Sequence, residues 1–501
     1  MSKKILIIGA GIGGLALAGM LGKKGHQVTI VEKNDASGGR ARIWEKDGFM
    51  FDMGPSWYMM PDVFDHFFSV VGENREDYYS LARLAPSYRV FLKNKGEQYD
   101  FFSDPKKIQA LFESLEVGAG KKLERFLLDT KEQYEIARGE FMYKNYNSFF
   151  DFINFKTMKI GARLPIFKKQ KAIIEGQFKN ELIRKVMQYQ TILLGTAPGD
   201  TPGIYSMMNY VDFEGGVWYP SKGIRAIPEA LTAIALKHGA EIKYGAPVQE
   251  IVVEGGKATG VLLSSGETLS ADIVVSNADI WHTDTALLKE HRIYSDSYWD
   301  SRVLAPSAFI LYLGVKGKLP QLDHHNLLFS KDWNKNFKEI FGKEPVWPTE
   351  PSLYICMPSK TDAAVAPEGD ENLFVLVPIP PGLSYTDEFQ AQYEEFILNE
   401  IQTNMDIPDL KERIVVKRTY SIKEFKSDYN AHKGTALGLA HTLKQTAIFR
   451  PNNIHPKIPN LLYVGAGTNP GIGMPICLIS AELAYKRIEG IMHPHPLDPI
   501  A

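Results

Sequence analysis

Only two cysteines, Cys356 and Cys477, occur in 501 residues. They are too few and too far apart for a disulfide framework or a thiolate metal cluster, and a reducing compartment is the simplest setting. Neither sign of charge is in surplus: 57 Lys and Arg stand against 59 Asp and Glu, which gives no reason to expect a nucleic-acid partner. Long apolar runs are missing too. The nearest, 461–479, is broken by Gly465, Gly467, Gly471, Gly473 and two prolines, so no bilayer-spanning helix is expected. The opening MSKKILIIGAG carries lysines before an apolar stretch, but that stretch fits a buried strand better than a signal peptide. Neither HExxH nor a Cys/His ligand spacing is present. His324 and His325, as neighbours on a strand, are expected to face opposite ways, so no metal is expected. Nothing resembles a Ser/His/Asp set or a paired-carboxylate site.

What the chain does have is concentrated at 4–33, KILIIGAGIGGLALAGMLGKKGHQVTIVEK. Ile5–Ile8 is long enough for one buried strand, and Gln27–Val31 reads as a second. Between them Gly9, Gly11 and Gly14 keep GxGxxG spacing, followed by apolar residues at helical intervals. Gly9 permits the tight turn, Gly11 lets a diphosphate approach the backbone, and Gly14 lets helix and strand pack closely. The helix N-terminus offers free N–H groups to phosphate. Glu32, eighteen residues past Gly14, is placed to accept ribose hydroxyls. This is a dinucleotide site. Just beyond it, Gly38-Gly39-Arg40 puts a flexible turn and a forked cation where a large cofactor needs a second clamp. Phe49–Asp52, then Met53-Gly54-Pro55-Ser56, suggests a strand ending where backbone approaches a ring.

The series GxGxxG, Glu32, GGRA and FDMGPSW resembles the FAD-dependent carotenoid desaturases in their bacterial, phytoene-desaturating form. The resemblance continues through GGVWYPSKGIRAIPEAL at 215–231, VVSNAD at 274–279 and LLYVGAGTNPGIGMPICLISAELA at 461–484, and so spans the chain; FDMGPSWYMMPDVFDHFF at 51–68 is particularly similar. It implies an α/β fold: a Rossmann-like FAD-binding domain of the flavin amine oxidase and glutathione reductase type, with an inserted substrate domain of mixed sheet and helices. The expected division is 1–72, 221–288 and 428–501 for FAD, and 73–220 and 289–427 for substrate. Implied cofactor contacts are Gly9, Gly11, Gly13, Gly14, Glu32, Lys33, Gly39, Arg40, Gly54, Pro55, Ser56, Val248, Asn277, Gly465, Gly467, Gly473 and Met474. Val248 matches a residue that meets the adenine through its backbone. Many related flavoproteins carry an acid in the last glycine turn; here Gly467 stands there, so ribityl binding falls to backbone groups.

Along the rest of the chain, Pro61 opens a helix, 78–103 alternates as strands of a separate sheet, and Asp104-Pro105 caps another helix. Between Lys156 and Lys185 nine basic residues meet two acids, with Phe155, Met158, Ile160, Leu164, Ile166 and Phe167 interleaved. That composition makes 141–189 a helical membrane-contact region, the alternative being a solvated face. Met207, Tyr210 and Trp218, with Trp57, are expected to line a pocket for a flexible apolar substrate. Segments 309–315, 352–358 and 372–381 read as strands; Lys316–Trp347 shows no clear pattern.

The implied reaction is hydride transfer from phytoene to flavin, repeated toward lycopene or a near relative. Protons beside a polyene cation are already acidic, so no strong base is required; Asp151, near the domain junction, is the one candidate for polarising the site. The implied setting is the cytoplasmic side of a membrane, with oxygen or a quinone reoxidising the flavin. A flavin amine oxidase shares the cofactor architecture but would want an aromatic cage for a soluble amine. A non-catalytic prenyl-binding protein of the Rab-escort type shares the fold but loses its flavin site.

Overall fold

In the computed structural model, residues 1–93, 96–147 and 164–501 are described. The opening strand, β1 (Lys4–Ile8), is central in a five-stranded parallel sheet ordered Leu461–Tyr463, Ile273–Ser276, β1, β2 (Gln27–Val31), Glu241–Lys243. Strands covered on both faces have no polar side to alternate with, which is why Ile5–Ile8 is an unbroken apolar run. Helix α1 (Ile12–Lys23) is buried from Ile12 to Leu21 between helices Ala226–Lys237 and Met474–Glu489. It is therefore apolar all round rather than striped. Its glycines permit the close approach: a Cβ on Gly22 would sit 2.5 Å from the His238 carbonyl, and one on Gly19 2.9 Å from Ile234.

A second sheet of seven strands runs Ile414–Tyr420, Ser307–Val315, Glu371–Ile379, Leu353–Cys356, His325–Phe329, Tyr88–Leu92, Glu97–Phe101. It is antiparallel except where His325–Phe329 pairs with Tyr88–Leu92. The five strands of the first sheet come from 1–31, 241–276 and 461–463, and the seven of the second from 88–101 and 307–420. The patternless stretch Lys316–Trp347 contains the strand His325–Phe329, buried throughout, and the helix Trp333–Phe341, capped by the Asp332 side chain on the Lys335 N–H. A fully buried strand of five residues carries no alternation to read.

Within 141–189, helices Gln170–Gln177 and Glu181–Gln188 form. Asp151, Lys156, Lys159 and Arg163 lie outside the described residues. Among the described residues, no helix is long and apolar enough to cross a membrane.

Candidate functional site

The first turn is built by backbone. Gly9 has φ +98°, open to glycine but strained for other residues, and its N–H bonds to the Val31 carbonyl at 2.8 Å. A Cβ on Gly14 would lie 2.3 Å from the Gly9 carbonyl oxygen. Asn277, just past strand Ile273–Ser276, donates from Nδ2 to that same oxygen at 3.1 Å. Its amide fills the space where Gly11, Gly13 and Gly465 would carry side chains, with Cβ positions 2.9, 3.0 and 2.5 Å away, and Gly39 backs onto Gly11. The result is a concave wall of main chain facing the N-terminus of α1.

Glu32 is buried, and both carboxylate oxygens already hold backbone: Oε2 accepts the Ala10 N–H at 2.8 Å and Oε1 the Asn34 N–H at 2.9 Å. The acid thus fastens the glycine turn to the end of β2 while its remaining lone pairs line the cavity. Arg40 lines the same cavity, its guanidinium 5.6 Å from the Tyr429 ring centre, with Nε and Nη2 buried and without a hydrogen-bond partner. Buried donors without partners are costly, and a cation left so beside a helix N-terminus suits a diphosphate. Glycine wall, acid and guanidinium therefore fit a dinucleotide such as FAD.

A second loop, Gly465–Gly473, adjoins this wall, lines the same cavity and ends with Gly473 (φ +121°) at the start of helix Met474–Glu489. Its support was not legible in advance. Arg450, 3% exposed, donates to the carbonyls of Ala466 (2.6 Å), Thr468 (2.9 Å) and Leu439 (3.2 Å), and burial lowers it to about 10. His441 Nε2 accepts the Ile472 N–H at 3.0 Å, so Nδ1 carries the ring proton toward Tyr205 Oη at 2.7 Å. Burial holds that imidazole neutral, its pKa well below the ordinary value.

These walls belong to one cavity of about 960 Å³ that continues into an apolar chamber with Tyr189, Leu194, Leu327, Phe329, Trp333 and Tyr354 in its lining. Of the residues expected at the cofactor, Gly9, Gly11, Gly13, Glu32, Lys33, Gly39, Arg40, Gly54, Pro55, Ser56, Val248, Asn277, Gly465, Gly473 and Met474 all line it, as do Trp57 and Met207 on the substrate side. Gly14 lies behind the wall. Gly467 faces Ile280 and borders a small adjoining hollow with Arg40 and Asp279.

Tyr210 and Trp218 require correction: neither is part of the lining. On the turn Met207–Tyr210 the two methionines take the cavity side, and the Tyr210 ring packs on Tyr134 at 5.6 Å. Trp218 lies in a strand paired with Leu81–Arg83, its indole N–H donated to the Gly215 carbonyl at 3.0 Å. The histidine pair also differs from expectation. His324 precedes the strand that His325 begins, and the two rings touch at 4.5 Å between centres. With Cys356, the cross-strand partner of His325, they bring potential ligand atoms within 4.8 Å of one another, all buried. Each Nδ1 has a hydroxyl partner, Thr361 for His324 at 2.7 Å and Tyr354 for His325 at 2.8 Å. Burial keeps both rings neutral.

Comparison with known proteins agrees with this geometry. Residues 12–488 match the family of flavin containing amine oxidoreductases. A carotenoid 3,4-desaturase of Haloarcula japonica is 43% identical over 492 residues, covering 97% of this chain and 98% of the relative. A zeta-carotene-forming phytoene desaturase of Myxococcus xanthus is 34% identical, covering 97% and 94%. A solved putrescine oxidase variant shares the fold at a TM-score of 0.63 with 12% identity, over 98% of this chain and 99% of that one. The chain belongs to the flavin containing amine oxidoreductase family, among its carotenoid desaturases, and is an FAD-dependent oxidoreductase.

Proposed function

We propose that this desaturase oxidises a long acyclic carotenoid at its 3,4 bond. The observation that carries the reading is the continuity of the cofactor cradle with a chamber walled by rings and aliphatic side chains. The relative at 43% identity, a carotenoid 3,4-desaturase, favours that bond. Successive desaturation of phytoene toward lycopene is the second reading, supported by the 34% relative and by the 51–68 motif.

Bound FAD supplies the acceptor for a hydride. The chain's own part is to hold the polyene against it, exclude bulk water, and present ring faces to developing positive charge. Anaerobic mixing of flavin-loaded protein with liposomes carrying either phytoene or an already conjugated acyclic carotenoid separates the readings. Bleaching by the conjugated substrate alone supports 3,4-desaturation, and bleaching by phytoene supports the second reading. Bleaching by neither, but by an amine, moves the protein to the oxidases. Oxygen or a quinone is the proposed terminal acceptor, tested by which of them restores the yellow colour.

Substrate entry is proposed to occur from the cytoplasmic face of a membrane, the protein being peripheral. Each methylene taken into water costs about 0.8 kcal/mol, whereas passage from lipid to an apolar chamber is nearly neutral. Phe167 and Phe449, 88% and 54% exposed, both belong to the cavity lining, and Lys168 and Lys169 follow directly after Phe167. Flotation with anionic liposomes should weaken with salt and with Lys168→Glu plus Lys169→Glu. Binding indifferent to both would remove the electrostatic part of the proposal.

A further inference from the structure

Asp212 sits in the π-helical turn Val211–Gly215 and is 1% exposed. One carboxylate oxygen, Oδ2, accepts three hydrogen bonds: from Tyr88 Oη at 3.0 Å, Tyr189 Oη at 3.0 Å and Gln190 Nε2 at 2.8 Å. The other oxygen, Oδ1, is buried without a partner. The ionisable groups facing it are Tyr88 from its strand and Tyr189 from the turn Tyr189–Leu194. Among the described residues no lysine, arginine, histidine or second carboxylate pairs with it, from the neighbouring helix Pro105–Leu115 or elsewhere. A lone buried charge of this kind is costly, which raises its pKa to about 6 through burial while the three donors oppose the shift. Stability alone would favour an uncharged residue here.

The groups holding it lead to the cavity. Tyr189 and Trp57 both line the chamber, their ring centres 6.1 Å apart, and Tyr88 packs behind them at 5.4 and 5.7 Å. Oxidation of a polyene creates positive charge in that chamber. The allylic C–H bond breaks with both electrons leaving for the flavin, and the carbon skeleton carries the positive charge. A proton then leaves the adjacent carbon to water, and its former C–H pair becomes the new π bond.

We propose that Asp212 is a positioning residue for hydride removal: its carboxylate, fixed behind the Tyr189–Trp57 wall, is the negative charge against which the cationic polyene is stabilised. This rests on the carotenoid-oxidising reading above. Oriented charge in a water-poor site needs no reorganisation as the reaction proceeds, and tyrosine hydroxyls donating to a carboxylate make their rings more electron-rich toward the cavity.

Asp212→Asn tests it. An amide oxygen in the place of Oδ2 keeps all three donors, and the amide nitrogen takes the place of the unpartnered Oδ1. Flavin content and melting temperature at pH 7.5 should therefore equal or exceed those of the parent. The rate of anaerobic flavin bleaching should fall on the order of tenfold, the effect of one charge about 10 Å away at an effective dielectric of about 20. The parent's bleaching rate should drop as pH falls through about 6, and the variant's should stay flat. Tyr189→Phe, which removes one donor to the carboxylate, should move the acid limb to higher pH. Unchanged bleaching in Asp212→Asn, or a pH profile that neither substitution alters, overturns the proposal. Parent protein that no polyene bleaches overturns the functional reading first, and this inference with it.

Discussion

Around the cradle the contacts come mainly from main chain, joined by the side chains of Glu32, Arg40 and Asn277, within or just after a few short motifs: Gly9–Gly14, Gly38–Arg40, Asn277, Gly465–Gly473. Around the chamber they come from side chains scattered over residues 57 to 449, delivered by the seven-stranded sheet, short helices and loops. The cradle must match a fixed polar shape, so it tolerates no added atom. The chamber must match a long apolar one, where rings of similar size can exchange. Local chemistry dictates the first, and tertiary packing the second.

The sharpest way to break this contrast is at Gly14. Gly14→Val places atoms on the Gly9 carbonyl, already 2.3 Å from a Cβ. Purified protein should contain no flavin, measured as the ratio of absorbance at 450 nm to that at 280 nm, roughly zero if the turn is displaced. A yellow variant would mean the turn is pliable and the contrast overstated.

Glu32→Ala should act next most strongly. Charge-assisted hydrogen bonds worth on the order of 1.5–3 kcal/mol are removed, weakening FAD about ten- to a hundredfold in a titration. Because Glu32 also holds the Ala10 and Asn34 N–H groups, the flavin-free protein should melt lower as well. A loss of affinity with no change in melting would assign the acid to ribose alone.

Phe329→Leu, in the chamber, should have the smallest effect. Its ring is 2% exposed and lines the cavity. A smaller apolar group there should leave flavin content unchanged and slow bleaching by a carotenoid only several-fold. Should FAD be lost instead, chamber and cradle are mechanically one unit.

The same contrast governs what could be read from the sequence. Strands at Ile5–Ile8 and Gln27–Val31, the acid at 32 and both glycine turns are local patterns, and the structure places them together. Met207 was legible as a flexible apolar residue in an aromatic stretch, but Tyr210 and Trp218 from that stretch face elsewhere. Composition names candidates; only the helical phase and strand pairing decide which side they take. Leu327 and Phe329 come from a stretch without periodicity because their strand is buried on both faces, and Trp333 opens the short helix that follows it. Arg450 and His441 were invisible for another reason: their partners are carbonyl and N–H groups of a loop that only the fold brings near. His324 and His325 meet because the strand begins between them, a boundary no alternation rule supplies.

The burial of α1 on all sides bears on how the protein is made. The glycine turn and its helix are synthesised well before one of the two helices that cover them, Met474–Glu489, and before the strand completing their sheet, Leu461–Tyr463. At about 5–20 residues per second, roughly 23–90 seconds separate the synthesis of α1 from that of Met474–Glu489. Throughout that interval an apolar helix with no polar face lacks at least the Met474–Glu489 half of its cover. The cradle, which needs Gly465 to Gly473, is complete only after that stretch is made, and until then α1 presents apolar surface of the kind chaperones bind.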